Sequence, residues 1–243
     1  MGKIGNMFVV ACALAGFLAS VSEVWGMDSN VLNPGQRSIV AIAAFTANGD
    51  LTRLKDALNE GLDAGLTVSE IKEVLVQMYA YTGFPRSLNG IHAFMAVMDE
   101  RKAQGIADRE GREPGPVPAG WNRDEYGART RAKLAGSDVI PAPSGYQLFA
   151  PVIDVFLKEH LFADIFVRDN LDHQSRELAT ISALSSIPGL GGQLRFHMGA
   201  AMNTGLSEAQ MKDFIAVLTE RLGRETAAPA EAVLAQVLAD RAK

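Results

Sequence analysis

The sequence predicts an all-α protein built from two copies of one helical unit. Three observations carry that reading. Apolar residues recur at three- and four-residue spacing along most of the chain, and no stretch shows the alternation of a strand. Helix start and stop signals recur in the same order twice. Two long segments also repeat: "LNPGQRSIVAIAAFTANGDL" (32–51) aligns with "LDHQSRELATISALSSIPGL" (171–190), and "AGLTVSEIKEVL" (64–75) with "TGLSEAQMKDFI" (204–215). The copies lie 139 residues apart at first and 140 later, which places one inserted residue in the turn near Pro188. Duplication is the simplest account.

Each element follows from its own punctuation. Asn33-Pro34 and Asp172 are N-caps, with proline at the first helical position in copy one. Gly65 and Gly205 stand where a helix ends in a left-handed residue. Thr67-x-x-Glu70 and Ser207-x-x-Gln210 are capping boxes for the helix that follows. Within it Ile71, Val74, Leu75 and Met78 keep an inward stripe. Helices are expected near 34–48, 51–63, 67–83 and 86–104, then 172–187, 191–203, 207–221 and 226–241. Copy one then occupies 27–105 and copy two 146–243, with a connector at 106–145. The connector opens on "EGREPGPVPAGWN" (110–122), too rich in Gly and Pro for regular structure. Beyond it, 123–135 and 146–166 read as helices separated by "PAPSG", and Phe149, Val152, Val155, Phe156 and Phe162 call for burial.

Composition narrows the function classes. The 243 residues are 48% hydrophobic and 21% charged, ordinary for a globular protein, and the net charge of −5 includes no basic cluster that would suit nucleic acid. The start differs: Lys3 precedes "MFVVACALAGFLAS", an uncharged run too short to span a bilayer comfortably but suited to a secretory leader. Residues 1–26 read as a signal peptide cleaved before Met27, which implies export to the periplasm or medium and no stable membrane insertion afterwards. "VVAC" offers the alternative of a lipid anchor on Cys12. Cys12 is the only cysteine, so a chain without its leader has no disulfide, thiolate ligand or thiol nucleophile.

Four histidines remain: His92, His160, His173 and His197. None forms a His-x-x-x-His pair and no Glu-x-x-His occurs, so no metal is expected. "GLGG" (189–192) lacks the spacing and preceding strand of a phosphate loop, and no organic cofactor is expected. His197, in "QLRFHMGAAMNTGLS", shares its helix face with Leu194, Ala200 and Ala201, so it is either a satisfied core residue or a site residue held inside. His160 and Asp164 are one turn apart, as a site pair or a helical charge pair. His92 and His173 read as non-catalytic.

"LDHQSRELATISAL…LRFHMGAAMNTGLS", with "LVQMYAYTGFPRSLNGI" in the other copy, resembles the carboxymuconolactone decarboxylase family, which shares its helical fold with alkylhydroperoxidase D-like proteins. The resemblance implies a duplicated, oligomer-forming all-α unit. Single-copy members form hexameric rings, so two fused copies per chain imply a homotrimer. In the peroxidase branch a Cys-x-x-Cys pair precedes the histidine, but Leu190 and Gln193 stand there in copy two and Asp50 and Arg53 in copy one. Thiol peroxidase activity is therefore not expected. His197 survives in copy two while copy one has Ala57, so the helix contact is expected to tolerate alanine. Tyr81, Gly83 and Pro85 belong to copy one alone, apart from Gly223, which suggests a composite site or one site per chain.

The implied reaction is loss of CO2 from a small carboxylated lactone or related acid. It needs a donor for the resulting oxyanion and a positioned acid for the ring carbon, not a cofactor. The candidates are His197 as the acid, Arg176 for the carboxylate or oxyanion, and Glu177 to orient the imidazole, with Tyr81 and His160 from the rest of the chain. Other readings stand beside these: a structural ion pair for Arg37 and Arg176, a first-turn acid for Glu177 and helix-end packing for Tyr81. A non-catalytic ligand-binding or scaffold protein of the same fold is the competing function.

Overall fold

The computed structural model describes residues 31–243; the expected leader, its boundary at Met27 and Cys12 lie outside the described residues. Copy one folds as α1 (Pro34–Asn48), α2 (Leu51–Asp63), α3 (Val68–Thr82) and α4 (Phe84–Ala103). Copy two folds as α8 (His173–Ser185), α9 (Gly191–Asn203), α10 (Glu208–Leu222) and α11 (Arg224–Arg241). Between them lie α5 (Arg123–Leu134), α6 (Tyr146–Phe149), α7 (Pro151–Val155) and a π-helix (Phe156–Ile165). No strand occurs among the described residues. The protein is all-α, as its periodicity requires.

The expected caps form. Asn33, Thr67 and Ser207 each close a capping box, and Asp172 accepts from the Ser175 amide. α4 starts two residues earlier than its sequence suggests, because Gly83 at φ 78° turns the chain directly from α3 into Phe84-Pro85. Gly223 at φ 87° does the same for α11. The connector serves the start of α3: the amides of Val68 and Ser69 donate to the carbonyls of Arg109 and Glu110.

The copies interlock. α1 and α8 pack together at the centre, each copy's first helix also packing on the other copy's third, α1 on α10 and α8 on α3. Small side chains make that central approach close: Ala41, Ala43, Ala44 and Ala47 on α1, and Ala179 and Ala183 on α8, are fully buried. Two cross-pairs mark the pseudo-dyad, Arg37 to Asp213 at 3.0 Å and Arg176 to Glu73 at 2.8 Å. One apolar core runs through both copies. A smaller one joins Leu134, Leu161, Phe162, Ile165 and Phe166 to Ala200, with Tyr79 and Tyr81 beside them, and so seats the connector on both copies.

The segment 146–166 departs from expectation. It is not one helix, because Pro151 supplies no amide and Ala150 leaves helical geometry at φ −134°, ψ 71°. The last part winds as a π-helix in which the Phe166 amide reaches the Leu161 carbonyl, five residues back. That spacing brings Leu161, Phe162, Ile165 and Phe166 to one face. Phe162 is buried as expected, but Phe149 is 92% exposed and Val152, Val155 and Phe156 also face solvent. Among the described residues the expectation of burial fails for those four.

Candidate active site

α8 and α9 run antiparallel after the turn around Pro188, and their facing sides carry the one buried acid–imidazole pair among the described residues. Glu177 sits fully buried on α8, one turn from its N-cap. His197 sits on α9 between Leu194 and Ala201, 6% exposed. Its Nδ1 lies 2.7 Å from Glu177 Oε2. A carboxylate can only accept, so Nδ1 carries a proton and Nε2 is the nitrogen left for chemistry. Among the described residues nothing hydrogen-bonds Nε2.

The third member comes from the other copy. Tyr81, in the last turn of α3, sets its ring edge-on to the imidazole, centroids 5.5 Å apart and planes at 85°. Phe196 holds the ring from its own helix at 5.1 Å and 89°. Two polar atoms around the imidazole are enclosed without a partner, the Tyr81 hydroxyl and Glu177 Oε1. Burial pushes the Tyr81 pKa far above its ordinary value, and the nearby Glu177 charge adds to this; Thr180 and Arg176 only partly oppose it. Tyr81 is therefore a neutral phenol at any physiological pH, with its hydroxyl enclosed beside Thr180.

Across the pseudo-dyad the acid–imidazole arrangement occurs once. At the equivalent place copy one offers Ser38, Ala57 and, crossing from copy two, Arg221. Arg221 turns instead to Glu60 at 2.6 Å. Among the described residues the cluster therefore forms once, with His197 and Glu177 from copy two and Tyr81 from copy one.

The other two candidates are placed elsewhere. Arg176 is fully buried and both terminal nitrogens are engaged: Nη1 donates to Gln77 at 2.9 Å, Nη2 to Glu73 at 2.8 Å and to the Arg168 carbonyl, while the enclosed Nε has no partner among the described residues. Burial pulls its pKa down while Glu73 opposes the shift. It offers no fork to a carboxylate from outside, so its assignment to substrate is corrected to that of a buried support behind Tyr81. His160 is half-exposed on the π-helix, with Nδ1 3.0 Å from Asp164, which Arg123 also holds at 3.0 Å. Its ring meets Tyr79, not His197. The i, i+4 spacing gave a surface charge pair. Of the remaining histidines, His92 is exposed and His173 Nε2 contacts the Phe166 carbonyl at 3.2 Å.

Glu73 is the residue that sequence reasoning missed. It is buried, and takes Arg168 at 2.9 Å and Arg176 at 2.8 Å. Burial pushes its carboxyl up, yet the hydrogen bonds and charges of the two arginines outweigh this and hold it below the usual range. The signal was present: Glu73 interrupts the inward stripe of α3 and aligns with Asp213, the acid opposite Arg37.

Leu190 and Gln193, at the thiol positions, bring no nucleophile; Leu190 lines a cavity of about 440 Å³ with Leu184, Leu194, Pro229 and Val233. Leu190 and Leu194 lie seven and three residues before His197, on the same face of α9. No three carboxylate or imidazole groups among the described residues converge as a metal site. No described helix is long and apolar enough to cross a membrane.

The fold and this site define a duplicated helical protein with one buried carboxylate–imidazole pair. The carboxymuconolactone decarboxylase family matches the chain twice, over residues 15–96 and 154–236. The chain belongs to that family, as two tandem copies. No curated protein matches it.

Proposed function

We propose that the chain is a cofactor-independent carbon–carbon lyase that removes CO2 from a small carboxylated lactone or related acid. The buried 2.7 Å contact between His197 Nδ1 and Glu177 carries the reading, because it orients Nε2, which becomes a donor once the ring takes up a second proton. As the bond to the carboxylate carbon breaks, its electron pair passes through the ring to a carbonyl oxygen. The Tyr81 hydroxyl donates to that oxygen, a role first given to Arg176. The imidazolium then delivers its Nε2 proton to the ring carbon, and the resulting imidazole keeps its Nδ1 proton on Glu177. Solvent restores the proton. The 440 Å³ cavity on the same face of α9 falls in the size range of small-molecule sites.

One observation favours the competing reading of a ligand-binding protein: the 440 Å³ cavity is lined by Leu184, Leu190, Leu194 and Val233 without the His197–Glu177 pair. A panel of carboxylated lactones and unsaturated acids, scored for binding by thermal shift and for turnover by CO2 release, separates the two. CO2 release that disappears in His197→Gln supports the lyase. Saturable binding with no release from any member that binds rejects it.

A further inference from the structure

A second cavity, of about 570 Å³, runs between α3 and α4, and its size is that of a small-molecule site. Its lining includes none of His197, Glu177 and Tyr81. One wall is apolar, made by Val76 of α3 and by Ile91, Phe94, Met95 and Met98 of α4. In copy two the positions of Val76, Ile91 and Met95 hold Ala216, Glu231 and Ala235. The same helix pair thus forms in copy two without these three side chains, so helix packing does not require them.

Buried polar groups complete the lining. Ser69, Glu73 and Asn170 are each at most 8% exposed. The Asn170 amide nitrogen donates to Ser69 Oγ at 3.1 Å and to Glu73 at 3.2 Å. A carboxylate only accepts, so Glu73 fixes which end of the amide is which. Ser69 gives its own proton to the Arg112 carbonyl, and Arg168 gives Nε and Nη2 to Glu73. Asn170 Oδ1 is left enclosed, with no partner among the described residues. An enclosed acceptor calls for a donor. The charges of the lining agree with that demand. Four acids, Glu73, Asp99, Glu110 and Glu113, stand against two bases, Lys72 and Arg168, a net charge of −2. Both bases are already paired, Lys72 with Glu110 at 2.9 Å and Arg168 with Glu73 at 2.9 Å. Asp99 and Glu113 have no ion-pair partner among the described residues.

We propose that the α3–α4 groove binds a small organic ammonium ion with an apolar tail. The tail lies along Val76, Ile91, Phe94, Met95 and Met98, and an ammonium N–H donates to Asn170 Oδ1. The net negative lining supplies the counter-charge and, within a cleft, concentrates cations. The same acids repel an organic anion. A neutral alcohol offers the donor but leaves the acids unmatched. This preference is opposite in sign to that of the carboxylated substrate proposed for His197, and it does not depend on that reading.

Titration calorimetry of the full chain at low ionic strength tests this with hexylammonium, hexyltrimethylammonium and hexanoate. Hexylammonium should bind saturably and hexanoate should not. Hexyltrimethylammonium, which has no N–H to give Asn170, should bind about tenfold more weakly. Lengthening the amine from butyl to hexyl should tighten binding, by up to about fourfold per methylene. Two variants locate the site. Asp99→Asn/Glu113→Gln changes two exposed side chains and should weaken hexylammonium about tenfold. Val76→Ala/Met95→Ala installs the residues of copy two and should remove most of the gain with chain length. No saturable binding of hexylammonium overturns the proposal, and so does equal affinity for hexanoate. Affinity that neither variant changes puts the amine elsewhere on the molecule and overturns it as well. Equal affinity for hexyltrimethylammonium overturns the part given to Asn170.

Discussion

Glu177 has one hydrogen-bond partner among the described residues, and that partner is His197. Copy one carries Ala57 in place of the imidazole, but it also carries Ser38 in place of the acid, so it is no precedent for alanine alone. His197→Ala strands a buried carboxylate and leaves a cavity, at a cost of about 3 kcal/mol. This revises the tolerance expected from the alignment. Pairing it with Glu177→Ser, the copy-one combination, should recover most of that loss while catalysis stays absent. Denaturant unfolding of the two single variants and the double measures the coupling, and additive losses would refute it. Glu73 works by a different balance. Its depressed pKa means that its stabilisation is present above the ordinary glutamate range, about 4.3, and fades as pH falls through the folded-state value. Glu73→Gln should cost about 3 kcal/mol at pH 7, because two arginines lose their counter-charge in a buried setting. That deficit should shrink in acid. Thermal melts from pH 7 to pH 3 check it, and a deficit that does not change with pH would count against the assignment.

At the scale of elements, the connector is held by one close crossing. α5 meets the π-helix at Gly127, where an added Cβ would fall 1.8 Å from the Lys158 carbonyl oxygen. That neighbour is backbone and cannot rotate away. Gly127→Ala should therefore separate α5 from the π-helix and loosen the small core around Phe162 and Phe166, which also supports Tyr81. A loss of about 3 kcal/mol is expected, at the upper end for overpacking. Gly192, whose added Cβ would meet nothing, is the control and should tolerate alanine. Equal melting temperatures for the two variants would show that the crossing is not the constraint.

Across the whole molecule, the duplicated halves are not separable domains. α1 and α8 form the centre, the third helices cross over, and the site takes Tyr81 from one half and His197 with Glu177 from the other. Calorimetry should show a single cooperative transition, with both copies unfolding together. Two resolved transitions would mean that the halves fold independently. With Ser38 and Ala57 in the place of the pair, copy one still provides α3 and Tyr81 to the candidate site.

The amino-acid sequence alone determined the eight helices of the two copies, their main caps and the duplication, because each rests on contacts within a few residues along the chain. Of the five candidates it offered, His197, Glu177 and Tyr81 lie together in the fold. What it could not decide was which buried charge meets which. Arg176 carries the same signal whether it faces a substrate or Glu73, and only the packing of α8 on α3 assigns it to Glu73. Likewise the one-turn spacing of His160 and Asp164 holds on any helix, and tertiary placement put that pair at the surface. The apolar segment 146–156 called for burial by composition, but where a side chain is buried depends on which surface is near it. Among the described residues none covers Phe149, Val152, Val155 or Phe156, since Pro151 and the π-helix turn them away from both cores.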